Sequence, residues 1–208
     1  MRCTTFDRLE KYDINDNCSV WNVPFDKLRQ RELLKYPNLK IISYGITTKK
    51  ISNTDELNEW IEKIDLDVLF MPNLLSVNIE DEIRYVKERL STNKYRYFIK
   101  DDTMIIPVLD SSYIEIPNTI KHLRIWRLCD YLYLNNLPIE LQSIRISELP
   151  IFLDTNAINL PINLLKLEIF YNDKDNDIDD LENKIKRPFG CEFILNKYPT
   201  VDFNTYIY

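Results

Sequence analysis

Glycine is almost missing from this chain of 208 residues: there are 2, Gly45 and Gly190, and they stand far apart. Phosphate-cradling loops and dinucleotide fingerprints need several glycines close together, so that chemistry is excluded. Alanine occurs once, at Ala157, and histidine once, at His122, which has no partner at metal-ligand spacing. The 4 cysteines (Cys3, Cys18, Cys129 and Cys191) include no C-x-x-C pair. Structural zinc requires clustered ligands, so neither metal nor cofactor is expected. No apolar run reaches the length of a membrane span, and Met1 to Thr5 lead into charged sequence rather than a secretory leader. Reduced thiols and a cytoplasmic location are the expectation.

What is present is a soluble balance, 45% hydrophobic and 29% charged residues, which suits a folded protein rather than a disordered one. The net charge of −6 argues against a general phosphate-backbone binder. Tyr85, Tyr95 and Tyr97 alternate with Arg84, Arg89, Lys94 and Arg96. Base stacking could use such a pattern, but the alternating faces of a hairpin explain it as well. Ile, Asn, Lys and Tyr are abundant, as AT-rich codons favour. Asp173 to Asp180 places oxygen ligands at alternate positions, yet the calcium-loop glycine and glutamate are replaced by Ile178 and Lys184. The segment reads as a solvated acidic loop. Cys129 is near His122 in sequence, but it follows an apolar strand and reads as a buried thiol rather than a nucleophile. The expectation is a non-enzymatic protein.

The informative feature is a repeat. Ile116-Pro117-Asn118-Thr119-Ile120-Lys121-His122-Leu123-Arg124-Ile125, Leu137 to Ile146 and Leu160 to Ile169 each read apolar-Pro-x-x-apolar-x-x-apolar-x-apolar. Their prolines lie about 21 and then about 23 residues apart, a period that marks a stacked solenoid. Tyr36-Pro37-Asn38-Leu39 and Met71-Pro72-Asn73-Leu74 announce similar strands, with one residue fewer between proline and strand. Helical spacing predicts helices over 25–34, 55–64 and 80–90. Phe25 and Leu28 align on the first of these, with Leu33 and Leu34 following. Tyr95 to Ile99 and Met104 to Val108 flank a hairpin turn. Cys191 to Leu195 reads as a further strand, and Lys197 to Phe203 as a closing, atypical repeat.

At these repeats the chain resembles leucine-rich-repeat proteins, and more narrowly the FNIP-type repeat proteins of amoebae and their large DNA viruses, whose units carry Ile-Pro-x-Ser-Val-x-x-Leu. Ile116 to Leu123 is the nearest match, and the resemblance covers residues 113–170. The chain departs from the family in lacking the Phe-Asn pair and an asparagine ladder. The resemblance implies an α/β fold: an irregular leucine-rich-repeat-like solenoid with a parallel sheet, more helical in its N-terminal half. One solenoid over 1–208 would comprise an N-terminal cap (1–35), helix-containing repeats and hairpin (36–110), regular repeats (111–170) and an acidic loop with C-terminal cap (171–208). A separate α/β N-terminal domain is the other reading. The resemblance also implies a protein-interaction module, and a viral or amoebal source suits the composition.

Side chains alternate faces along a strand. Leu123 and Ile125, Ile144 and Ile146, and Leu167 and Ile169 are expected in the core, with Pro117, Pro138, Pro161, Ile120, Leu141 and Leu164 beneath the turns. His122, Ser143 and Lys166, then Arg124, Arg145 and Glu168, then Trp126, Ser147 and Phe170 should form outward ladders. Trp and Arg are enriched at binding hot spots, so Arg124, Trp126, Arg145, Glu168 and Phe170 are the candidate contacts for another protein. The competing reading has Trp126 and Phe170 covered, by a flank or a second copy, and the arginines merely paired with Glu168. Self-association through the sheet or the terminal repeat is the alternative function.

Overall fold

The computed structural model describes residues 2–11, 18–45, 59, 61–80, 97–109, 114–128, 137–147, 160–171 and 185–198. The chain divides into two compact units, Met1–Lys94 with Pro199–Tyr208, and Tyr95–Tyr198. Among the described residues both are built of stacked parallel strands with few helices, a β-solenoid architecture.

In the first unit four strands, β1 (Arg2–Thr5), β2 (Cys18–Val23), β3 (Leu39–Gly45) and β4 (Ser76–Glu80), pair in parallel and in sequence order. The first two lie in the region where no sequence pattern marked a strand. Leu39, Ile41, Ile42, Ser43 and Tyr44 are all buried, the continuous run that a parallel sheet covered on both faces requires. β2 carries an irregularity between Val20 and Val23, where Asn22 takes φ of 57°. A side chain on Gly45 would put Cβ 2.7 Å from Asn22 Oδ1 and 3.0 Å from its Cα, so the bulge explains that glycine.

The helix expected over 25–34 is one α-turn, Lys27–Gln30, continued by a 3₁₀ turn, Arg31–Lys35. Asp26 caps it, its Oδ1 accepting from Arg29 N at 3.0 Å. The change of helical pitch turns the expected stripe: Leu28 and Leu34 are exposed, whereas Gln30 and Leu33 are buried. Of the described residues in the segment expected as a helix over 55–64, Glu59, Ile61 and Glu62 are helical, while Lys63 and Ile64 already form a turn and a bend. The one over 80–90 lies outside the described residues beyond Glu80, as do 172–184 of the acidic loop and 199–208 of the closing segment.

In the second unit the hairpin is as expected: β5 (Phe98–Lys100) and β6 (Thr103–Leu109) run antiparallel about Asp101, whose φ is 54°. Then β7 (His122–Leu128), β8 (Ser143–Ile146), β9 (Lys166–Tyr171) and β10 (Glu192–Lys197) add in parallel. The register aligns Met104, Leu123, Ile144, Leu167 and Phe193 in one inward row. Ile106, Ile125, Ile146, Ile169 and Leu195 form the second. These rows, with Ile120, Leu141 and Leu164 under the turns, are the core. Pro138 and Pro161 are buried as expected, but Pro117 is exposed. The strand before it, β6, is entered by the Asp101–Asp102 turn, which carries no proline. At the far end the Arg187 guanidinium lies over the Phe193 ring, 4.8 Å from its centroid.

One backbone hydrogen bond closes the turn of each repeat. Ile120 N donates to Pro117 O at 3.0 Å, Leu141 N to Pro138 O at 3.2 Å and Leu164 N to Pro161 O at 3.0 Å. Cys191 N donates to Pro188 O at 3.1 Å, which makes Pro188-Phe189-Gly190-Cys191 a fourth regular turn. Its sequence signal was weak because Arg187 replaces the leading apolar residue. Gly190 supplies φ of 81° at the third position, the conformation a type II turn demands. In the first unit the same bond runs from Leu39 N to Tyr36 O and from Leu74 N to Met71 O, each 3.2 Å. There the proline is second in the turn rather than first, which accounts for the missing residue. Asn73 Nδ2 ties the two turns of that unit together by donating to Pro37 O at 3.0 Å.

Candidate interaction surface

Where turn meets strand, one backbone carbonyl per coil accepts two successive amides. Asp102 O takes Lys121 N (2.8 Å) and His122 N (3.1 Å), Lys121 O takes Gln142 N (2.8 Å) and Ser143 N (3.0 Å), and Gln142 O takes Leu165 N (2.8 Å) and Lys166 N (3.1 Å). This ladder does with main chain what an asparagine ladder would do with side chains. It sets the outward rows in the expected register: His122, Ser143 and Lys166, then Arg124, Arg145 and Glu168. Ser147 N donates to Ile125 O at 2.8 Å, which puts Ser147 on the rung beside Trp126.

The face is not open along its whole length, and here the expectation needs correcting. His122, Ser143 and Lys166 are partly exposed, as are Arg124 and Arg145. Trp126 and Phe170 are only 7% exposed and Glu168 9%. Alternation dictates which side a residue takes, but it does not say what lies above that side. Glu168 is also committed. Its Oε2 accepts from Arg145 Nε at 2.7 Å and its Oε1 from Asn196 Nδ2 at 3.3 Å. Burial pushes the Arg124 guanidinium down to about 10, and Arg145 beside it adds to the effect against the pull of Glu168. Reversing the charge of Arg145 would therefore break a buried pair as well as alter a surface.

His122 Nδ1 lies 2.8 Å from Ser143 Oγ, and its Nε2 lies 3.9 Å from Asp102 Oδ2. A serine hydroxyl donating to Nδ1 leaves the Nε2 proton facing the carboxylate. Nucleophilic catalysis needs the base anchored by a direct bond and donors free to receive an oxyanion. Asp102 is beyond hydrogen-bond distance, and the amides of Gln142 and Ser143 already donate to Lys121 O. The row holds one hydrogen bond between two rungs, His122 to Ser143, with the Asp102 carboxylate farther off. Among the described residues, no group of three or more His, Cys, Asp or Glu could hold a metal ion. None of the helices described is long and apolar enough to cross a membrane.

A group of exposed apolar residues lies elsewhere in the second unit, on the turn edge. Ile139, Ile162 and Phe189 each follow the proline of successive turns, and Leu165 stands where Lys121 and Gln142 stand in the coils before it. All four are exposed, Ile162 to 74%. Consecutive rungs are about 4.8 Å apart, so the three turn residues form one apolar row. The sequence did carry the signal: three proline turns in succession place an apolar residue where turn tips are ordinarily polar.

Comparison with protein-family models, curated proteins and solved structures found no match to this chain.

Proposed function

We propose that this chain is a non-enzymatic binding module that holds another protein along its second unit, in the cytoplasm, or the host cell's cytoplasm for a viral factor. We take its kinship to be with leucine-rich-repeat proteins of the FNIP type, from amoebae or large DNA viruses, with the more helical half toward the N-terminus. The observation that carries the binding role is the row Ile139, Ile162 and Phe189 with Leu165, four exposed apolar side chains on consecutive coils. Exposed apolar side chains gathered in one place mark interaction sites. The partly exposed N-terminal ends of the strands, with His122, Ser143, Lys166, Arg124 and Arg145, adjoin that edge and supply polar contacts. Trp126, Glu168 and Phe170 lie farther along the same outward face, where it is covered. The partner that fits presents an apolar stripe flanked by polar groups.

The test compares wild type with Ile162→Lys/Leu165→Glu in affinity purification from the native host. Proteins retained by wild type and lost by the variant, with circular dichroism unchanged, support the reading. Identical retention overturns it. A second reading, self-assembly, draws on β10, which among the described strands pairs only with β9 and so offers an edge. Size-exclusion chromatography with light scattering separates the two, because a concentration-independent monomer rules against stacking.

A further inference from the structure

Two polar atoms on the covered end of the outward face are buried without a hydrogen-bond partner: Trp126 Nε1 and Ser147 Oγ. They sit on neighbouring rungs, about 4.8 Å apart at the backbone, with Ser147 only 1% exposed. Two residues back along the same strands, about 6.6 Å away, Arg124 and Arg145 stand in register. The four positions form the corners of a small rectangle. Every corner is a donor: an indole N–H, a hydroxyl and two guanidinium groups. Glu168, which follows Arg145 on the next rung, already receives Arg145 on one oxygen and Asn196 on the other.

Native proteins rarely leave buried donors unpaired, and an unfilled pair marks the place of a missing acceptor. Water satisfies such a pair well only where it also finds acceptors for its own two protons. Three of the four corners can only donate, and two of those are cationic, so an anion fits better than water. We propose that Trp126, Ser147 and Arg124 form a binding site for a small oxyanion. Arg124 has five N–H donors and can give one to the ligand while keeping its other contacts. It is partly exposed, so it is the corner through which the ligand enters. The depressed position of Arg124 noted above would be relieved by an anion there. The site is independent of the turn edge and of any protein partner.

The test uses the full chain with tryptophan labelled with ¹⁵N, titrated with acetate and, separately, with inorganic phosphate. The protein has 3 tryptophans, and the Trp126 indole signal is assigned by its loss in Trp126→Phe. Binding moves that signal downfield saturably, and calorimetry gives one anion per chain. Ser147→Ala and Arg124→Gln each weaken binding by at least about tenfold, as loss of a charge-assisted bond requires. Lys121→Gln, on the exposed edge, does not. Response to acetate alone identifies a carboxylate site, and to phosphate alone a phosphoryl site. An unmoved Trp126 signal with both anions overturns the proposal, as does undiminished affinity in the two variants. The indole signal of the wild-type protein decides the matter even where a variant fails to fold.

Discussion

Tyr44 Oη donates to Gln30 Oε1 at 3.2 Å in the interior of the first unit, and the same oxygen accepts from Asp65 N at 2.7 Å. Gln30 Nε2 donates to Pro24 O and Lys63 O, each at 3.1 Å. One buried amide thus links the end of β2, the following helix, β3 and the 61–70 segment. Asp65 extends the network, accepting from Asp67 N (2.8 Å) on one oxygen and from Arg31 Nε (2.8 Å) on the other. Gln30→Ala takes the partner from two buried groups, Tyr44 Oη and Asp65 N, and from two part-buried carbonyls, so a loss of about 3 kcal/mol is expected, read as a shift in the urea midpoint. A loss below about 1 kcal/mol would show that water replaces the amide.

The same network makes stability depend on alkaline pH. Burial, reinforced by Asp65, raises the Tyr44 phenol well above its ordinary value near 10. A group with a raised folded pKa contributes its full stability below the unfolded pKa and loses it as pH climbs towards the folded one. The free-energy difference between wild type and Tyr44→Phe is therefore constant from pH 7 to about 9 and shrinks above about pH 10. Paired chemical denaturation curves across that range check it.

The two glycines answer to different causes and should respond differently. Gly45→Ala forces Asn22 backbone and side chain apart, because the new Cβ meets them at 3.0 and 2.7 Å. A cost of about 2 kcal/mol is expected from such overpacking. Gly190→Ala meets nothing within 4 Å and pays only for φ of 81°, about 1 kcal/mol. Thermal unfolding of the two variants should rank them in that order.

Arg145 and Glu168 form a pair whose side chains are 20% and 12% exposed. Arg145→Met strands a buried carboxylate and should cost about 3 kcal/mol. Arg145→Met/Glu168→Leu should recover most of that loss, since an apolar pair of similar size carries no desolvation penalty. Denaturation of the single and double variants gives the coupling directly.

Much of the second unit was legible before any coordinates. The spacing of Pro117, Pro138 and Pro161 places three turns, and alternation along Leu123-Arg124-Ile125 sorts core from surface. The rows Arg124-Arg145-Glu168 and Leu123-Ile144-Leu167 stand in the register that the repeats imply. The fourth turn at Pro188 was hidden by Arg187, and β1 and β2 by their mixed composition. Leu28 misled because a 3₁₀ turn broke the helical period that placed it inside.

The sequence by itself determined the repeat, its turns and the inward rows, because a period of two residues and a proline turn are properties of the local backbone. Tertiary structure decided which outward residues meet solvent. Burial depends on what packs over a face, and residues distant in sequence settle it. It sealed Trp126 and Phe170, left Ile139, Ile162 and Phe189 exposed at the turn edge, and made an interior linchpin of Gln30, a polar residue whose burial only its four partners make affordable.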